Sequence, residues 1–222
     1  MAAISGGKTY HHGDLRNALL CAAVDLATEG GPERVVLREA ARRVGVSPTA
    51  AYRHFEGRGE LLAAVRDHAR RALADAMERT ASRAPGADDP VLAAEARLAA
   101  LCRGYIDFAV AQPGLYRSAF AVLRTAGDEP DAHAGTETDP DPGTCAGEVR
   151  AFTLLTDALT ALAATARPPR AARPAVEAAA WSAVHGLSLL LLEGPLRRLP
   201  AQRRDDVVEC TLAMVVSGTR VP

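Results

Sequence analysis

Residues 44–55 of the 222-residue chain read VGVSPTAAYRHF. A serine followed by proline opens a helix, because the Ser47 hydroxyl can cap it and Pro48 loses nothing by lacking an N–H at the first helical position. Thr49, Ala50 and Ala51 behind them are small, and Tyr52, Arg53 and His54 are long and polar. Such a helix can come close to another molecule while offering donors beside the contact. The chemistry is recognition rather than bond-making. A helix N-terminus presents free N–H groups and a positive dipole end to phosphate. Arg53 can fork onto a guanine edge, and Thr49 and Ala50 can meet bases or a thymine methyl. Tyr52 and His54 can hold phosphates, which fixes position but reads no sequence. A second reading makes Tyr52 and His54 the cover of a small three-helix core.

A reading helix must be held at its angle by a neighbour. The pattern predicts a short helix over about Leu37 to Val44, stopped by Gly45, which takes positive φ without strain. Ala41 is small where the two helices cross, and Val44, Val46 and Ala51 supply the apolar lock. Two short helices joined by a glycine turn form a helix-turn-helix, whose second helix enters the major groove. The helix before them should start at the N-cap Asp14 and stop near Gly30–Gly31, with Leu15, Leu19, Ala22, Ala23 and Leu26 on one face. The reading helix should run to Phe55–Gly57. A long helix then covers about Gly59 to Ser82, with Leu61, Leu62, Val65, Ala69, Leu73 and Met77 inward. Further helical patterns cover about 90–111, 113–123, 147–166, 174–194 and 200–218, and Pro90, Pro113, Pro174 and Pro200 mark starts. No run of alternating β-branched residues argues for a sheet, so the fold class is all-α.

The charge is uneven. Residues 1–83 carry 13 Lys/Arg against 10 Asp/Glu, and residues 84–222 carry 13 against 17, so a weakly basic front precedes an acidic rear. Within the rear, residues 125–147 hold six acidic residues and no Lys or Arg, with many Pro and Gly. That composition reads as a solvated, mobile loop, with an acidic interaction tail as the alternative. Cys21, Cys102, Cys145 and Cys210 are far apart with no CxxC pair, which excludes a disulfide framework or structural zinc site and suits a reducing cytoplasm. Cys102 beside a histidine could be a nucleophile pair, but no oxyanion motif accompanies it, and a core cysteine is the simpler reading. His11 and His12 lack a third metal ligand and fit an arm touching phosphate. No catalytic set, cofactor motif or metal site emerges. The start MAAISGGKTYHH lacks the apolar region of a secretory signal, and the uncharged apolar stretch 178–192 is too short to span a bilayer. These features predict a cytoplasmic, non-enzymatic protein.

Residues 10–65, YHHGDLRNALLCAAVDLATEGGPERVVLREAARRVGVSPTAAYRHFEGRGELLAAV, resemble the N-terminal domain of the TetR family of transcriptional regulators. The resemblance implies an all-helical homodimer, with a helix-turn-helix unit (1–57) on a palindromic operator and an effector-binding and dimerisation domain (58–222). It implies that Ser47, Pro48, Thr49, Ala50, Tyr52, Arg53 and His54 fall on the recognition helix. Arg58 stands where the family has a phosphate-binding lysine, Arg38 joins the DNA-facing set, and Lys8, Tyr10, His11 and His12 form an arm along the backbone or minor groove. Two departures stand out. Val36 replaces the usual Ser or Thr cap of the second helix, and Gly59 replaces a helix former in the first turn of the fourth.

The stretches QPGLYRSAF (112–120) and WSAVHGLSLLLLEG (181–194) are similar to the TetR subgroup marked by a Trp-x-x-x-His-Gly motif, here Trp181, His185 and Gly186. Trp181 and His185 share a helix face, lining an effector cavity or packing a bundle. Tyr105, Phe108, Tyr116, Phe120 and Phe152 are the other candidate effector contacts, with plain core as the alternative. Leu187, Leu190 and Leu191, on a run hydrophobic all round, are expected to meet a second subunit together with Val208, Leu212 and Val215. The expected partners are double-stranded DNA, a second copy of the chain and a small-molecule effector. Control by a protein partner instead is the alternative, and a small helical-bundle enzyme a remoter one.

Overall fold

A computed structural model of the protein describes residues 12–121, 146–165 and 174–219, with side chains from Leu15 and, in the second stretch, from Arg150 onward. Every regular element among the described residues is helical: α1 (His12–Gly30), α2 (Leu37–Val44), α3 (Pro48–Tyr52), α4 (Arg58–Ala81), α5 (Pro90–Ala111), α6 (Pro113–Ala119), α7 (Ala146–Thr165), α8 (Pro174–Leu192) and α9 (Ala201–Gly218). Two 3₁₀ turns, Pro32–Arg34 and Pro195–Arg198, were not anticipated by the periodicity.

Local chemistry sets these boundaries. Gly45 sits at φ 77°, and its N–H reaches the carbonyls of Ala41 and Arg42, closing α2. The Ser47 hydroxyl accepts from the Ala50 N–H at 3.2 Å, with Pro48 first in α3. Asp89 caps α5 through Val91 N–H at 2.7 Å, again with proline next. Val36 gives α2 no side-chain cap, as its apolar side chain requires.

Four boundaries correct the sequence reading. α1 begins at His12, two residues before Asp14. α3 stops at Tyr52, so Arg53 and His54 lie on the turn after it rather than on the helix. α6 ends at Ala119 rather than 123, and α8 at Leu192 rather than 194. Of the acidic segment, residues 125–145 lie outside the described residues, and Ala146 and Gly147 open α7.

One apolar core runs through the molecule, from Leu19 and Leu26 on α1 through Leu61, Val65, Leu73 and Met77 on α4 to Leu98, Leu101 and Ile106 on α5. α1, α2 and α3 pack together at one end of α4. The rest of α4 packs on α5, α6 and α7, and α8 and α9 close the far side of α5. α8, at 19 residues, is long and apolar enough to cross a membrane, because it adds Glu177 and the residues before it to the uncharged stretch 178–192. Yet it packs on α5, α7 and α9, as an apolar bundle helix does.

Candidate nucleic-acid interface and aromatic site

The α2–α3 pair presents a sorted surface. Ala41 and Ala51 are fully buried where the helices cross. Ala51 therefore belongs to the lock and not to the approach surface. Arg38, Ser47, Pro48, Thr49, Tyr52 and Arg53 are exposed, and Ala50 and His54 half-buried. Tyr52, at 47% exposure, is among the most open large apolar or aromatic side chains of the described residues, which a core role does not explain. Arg42 is tied to Glu39 and Arg43 to Glu29 by two-pronged ion pairs of 2.6–2.9 Å. The hydrogen bonds from Arg42 hold the Glu39 carboxyl down to about 2. Among the described residues neither Arg38 nor Arg53 is in an ion pair. Their charge is thus available to an anion beside α3.

Arg16 on α1 was not singled out by the sequence, yet it holds the turn after α3. Its guanidinium donates to the His54 carbonyl and to Glu60 Oε1 (2.8 Å), and lies 4.2 Å from the centre of the Phe55 ring. Glu60 in turn accepts from the Glu56 N–H at 2.7 Å, and that bond, with Arg16, holds its carboxyl below the ordinary range. No local periodicity links residues 44 positions apart, so nothing in the sequence pointed to this clamp. Arg58 donates from Nε to the Val35 carbonyl (3.0 Å) and from Nη2 to that of Pro32 (2.9 Å), securing the 3₁₀ turn. Lys8, Tyr10 and His11 lie outside the described residues, and the His12 side chain is not described.

At the other end, residues from α5, α6, α7 and α8 form an aromatic cluster. Tyr105 Oη lies 2.7 Å from His185 Nδ1, Tyr116 Oη 3.0 Å from the same nitrogen, and the two hydroxyls 3.1 Å apart. Trp181 stacks on His185 at 6.1 Å and 10°, while Phe120 meets the imidazole edge-on at 4.8 Å. Phe152, 38% exposed, packs edge-on against Trp181 at 5.6 Å. Burial pushes the Tyr116 phenol up to about 12, against hydrogen bonds to Tyr105 and Ser188 that act the other way. Six of the seven candidate effector contacts therefore converge. Phe108 is buried in the core and takes no part in these ring contacts.

The expected dimer residues divide. Leu187, Leu191, Val208, Leu212 and Val215 are already buried within one chain. Leu190 stays 43% exposed, and the open apolar surface continues through Leu189 and Met214, the latter 69% exposed and missed by the sequence reading. Between α8 and α9 runs a groove of about 670 Å³ whose lining includes Ala179, Ala183, Gly186, Leu190, Thr211 and Met214. Cys21 and Cys210 are exposed free thiols, and Cys102 is buried, where desolvation pushes it up to about 12.

Residues 19–65 match the model of the bacterial regulatory proteins of the tetR family, and residues 98–215 match a tetracyclin repressor-like C-terminal domain. The chain belongs to the TetR family. It is a transcriptional regulator with a DNA-binding head. A protein of unknown function from Rhodococcus sp. RHA1 shares 27% identity over 95% of this chain and 98% of its own, with a TM-score of 0.66. A TetR family regulator from Marinobacter aquaeolei VT8 has the same fold at 18% identity (TM-score 0.56, 91% and 94% covered). So does SmeT, solved with triclosan, at 23% identity (TM-score 0.51, 94% and 95% covered). No curated protein matches the chain in sequence.

Proposed function

We propose that the protein is a ligand-responsive repressor that binds a palindromic operator as a homodimer in the cytoplasm and releases it on binding a small molecule. The observation that carries the DNA contact is the open face of α2 and α3. There Arg38, Thr49, Tyr52 and Arg53 are exposed around a fully buried lock of Ala41 and Ala51. Arg53 reads a base, Tyr52 and His54 hold phosphate, and Ser47, Pro48, Thr49 and Ala50 form the close approach. Lys8, Tyr10 and His12 run along the backbone, and Arg58 fixes the start of α4 near it. The division into a head of residues 1–57 and a body of 58–222 follows the same logic.

Dimerisation is supported by the apolar surface at Leu189, Leu190 and Met214 beside the α8–α9 groove. Two copies pairing there cover that surface and set two reading helices about 34–36 Å apart, one turn of DNA. The effector reading rests on the Tyr105, Tyr116, Phe120, Phe152, Trp181 and His185 cluster, an apolar wall with three convergent polar atoms. That SmeT, of the same fold, takes up triclosan favours a small molecule over a protein partner. A thermal-shift screen of small aromatic compounds, repeated on Tyr116→Phe and His185→Ala, tests this. Stabilisation by one chemical class that both variants lose supports it, and stabilisation they leave intact contradicts it.

A further inference from the structure

The head and the aromatic cluster are joined by the seven residues of α6. Tyr116 and Phe120 turn toward His185. Gly114 turns toward the end of α1. A Cβ built on Gly114 would stand 2.2 Å from the Ala27 carbonyl oxygen, 2.6 Å from that of Thr28 and 3.1 Å from the Gly31 nitrogen. All three neighbours are backbone, so no rotamer change makes room. Ala27 O also accepts the Gly31 N–H at 2.7 Å, the bond that turns the chain out of α1. Arg117 reaches the same turn, 3.4 Å from where a Gly31 Cβ would lie. By contrast, a Cβ on Gly104, in the α4–α5 seam, would meet its neighbours no closer than 2.8 Å.

We infer that Gly114 is a positioning residue: its missing side chain lets α6 rest directly on the C-terminus of α1 and so fixes the angle of the head that fits the operator. Displacing α6 from α1 tilts α1, and with it the Arg16-held turn after α3, without touching any DNA-facing side chain. Any side chain at position 114 then imitates release. The inference rests on the operator-binding reading above.

The test uses the full-length protein, an operator fragment located by footprinting, and variants of that fragment with half-sites moved by one base pair. Gly114→Ala should bind the native spacing about tenfold more weakly, within the range of ordinary allosteric coupling, and should lose less on one altered spacing. Amide exchange should rise at Gly31. Leu98→Ala, a cavity in the body core, is the control: it lowers the melting temperature but should leave spacing preference and Gly31 exchange unchanged. Wild-type affinity and spacing preference in Gly114→Ala overturn the inference, whatever its melting temperature, as does an equal affinity loss in Leu98→Ala at matched stability. If Gly114→Ala does not fold, Arg117→Ala, exposed at the same joint, should weaken binding in the same direction, and unchanged affinity overturns the inference. If the wild type binds no operator, the repressor reading fails. The Gly31 exchange of Gly114→Ala then still decides the joint, with wild-type exchange overturning it.

Discussion

The two ends of this molecule leave opposite kinds of surface uncovered. Around α3 the small apolar residues Ala41 and Ala51 are wholly buried and the polar ones, Thr49, Tyr52 and Arg53, face out. Along α8 and α9 it is apolar side chains, Leu189, Leu190 and Met214, that stay open beside a groove of small residues. A polar face that offers Arg38 and Arg53 suits a charged, hydrated partner, whereas an open apolar face suits a copy of itself, where association gains from apolar area removed from water. Under the proposed function the contrast lodges affinity and specificity in different places: the far end would join two heads, and the near end would read.

The largest effect should come from breaking that division at the apolar end. Leu190→Asp with Met214→Asp puts two charges on the open face. Sedimentation should show monomer, and operator affinity should fall by about 10²- to 10⁴-fold, because the second half-site is no longer presented at high effective concentration. Retained dimer would move the interface elsewhere. At the reading end the effects are smaller and differ in kind. Arg53→Ala should cost about 1–3 kcal/mol of discrimination at one base position, while Tyr52→Phe should weaken all sites alike by roughly 0.5–1.5 kcal/mol. Competition binding on a set of singly altered operators separates them, and the reverse pattern would exchange the two roles.

The smallest effect concerns the aromatic cluster and needs no DNA. The folded Tyr116 phenol is held up near 12 by burial, above its value of about 10 in the unfolded chain. The sign is that of a raised pKa. Its contribution to stability is complete below pH of about 10 and is lost as pH rises through about 12. An ultraviolet titration should show a late tyrosinate step that Tyr116→Phe loses. Ionisation of all tyrosines together near 10 would mean the cluster is open to water.

What the sequence made legible follows from locality. Caps, prolines and the glycine turn act within four residues, so α2, the Ser47–Pro48 start of α3 and the Pro90 start of α5 stand where the pattern puts them. The inward face of α4 is likewise legible from its 3.6-residue period. What the sequence hid is long-range. Arg16 finds His54 and Glu60, Arg58 finds Pro32 and Val35, and His185 finds Tyr105 and Tyr116 only once the helices are packed. Gly114 reads in sequence as an ordinary glycine after proline, and its closeness to Ala27 is a property of the α1–α6 crossing. The early end of α3 has the same origin: the Arg16 clamp and the burial of Phe55 draw the chain into a turn before the helix can continue. Leu187 and Leu191 show the converse. A helix hydrophobic all round reveals that it is covered on several sides, but not which side its own chain covers.

The central claim, that two exposed α3 faces on one dimer read a two-fold site, is tested most directly by footprinting the purified protein along the intergenic DNA beside its own gene at several salt concentrations. The account predicts protection of two symmetric half-sites about 10 base pairs apart centre to centre, weakening steeply as salt rises. Uniform binding along the DNA with no protected site, or protection of a single unpaired half-site by the dimer, would contradict it.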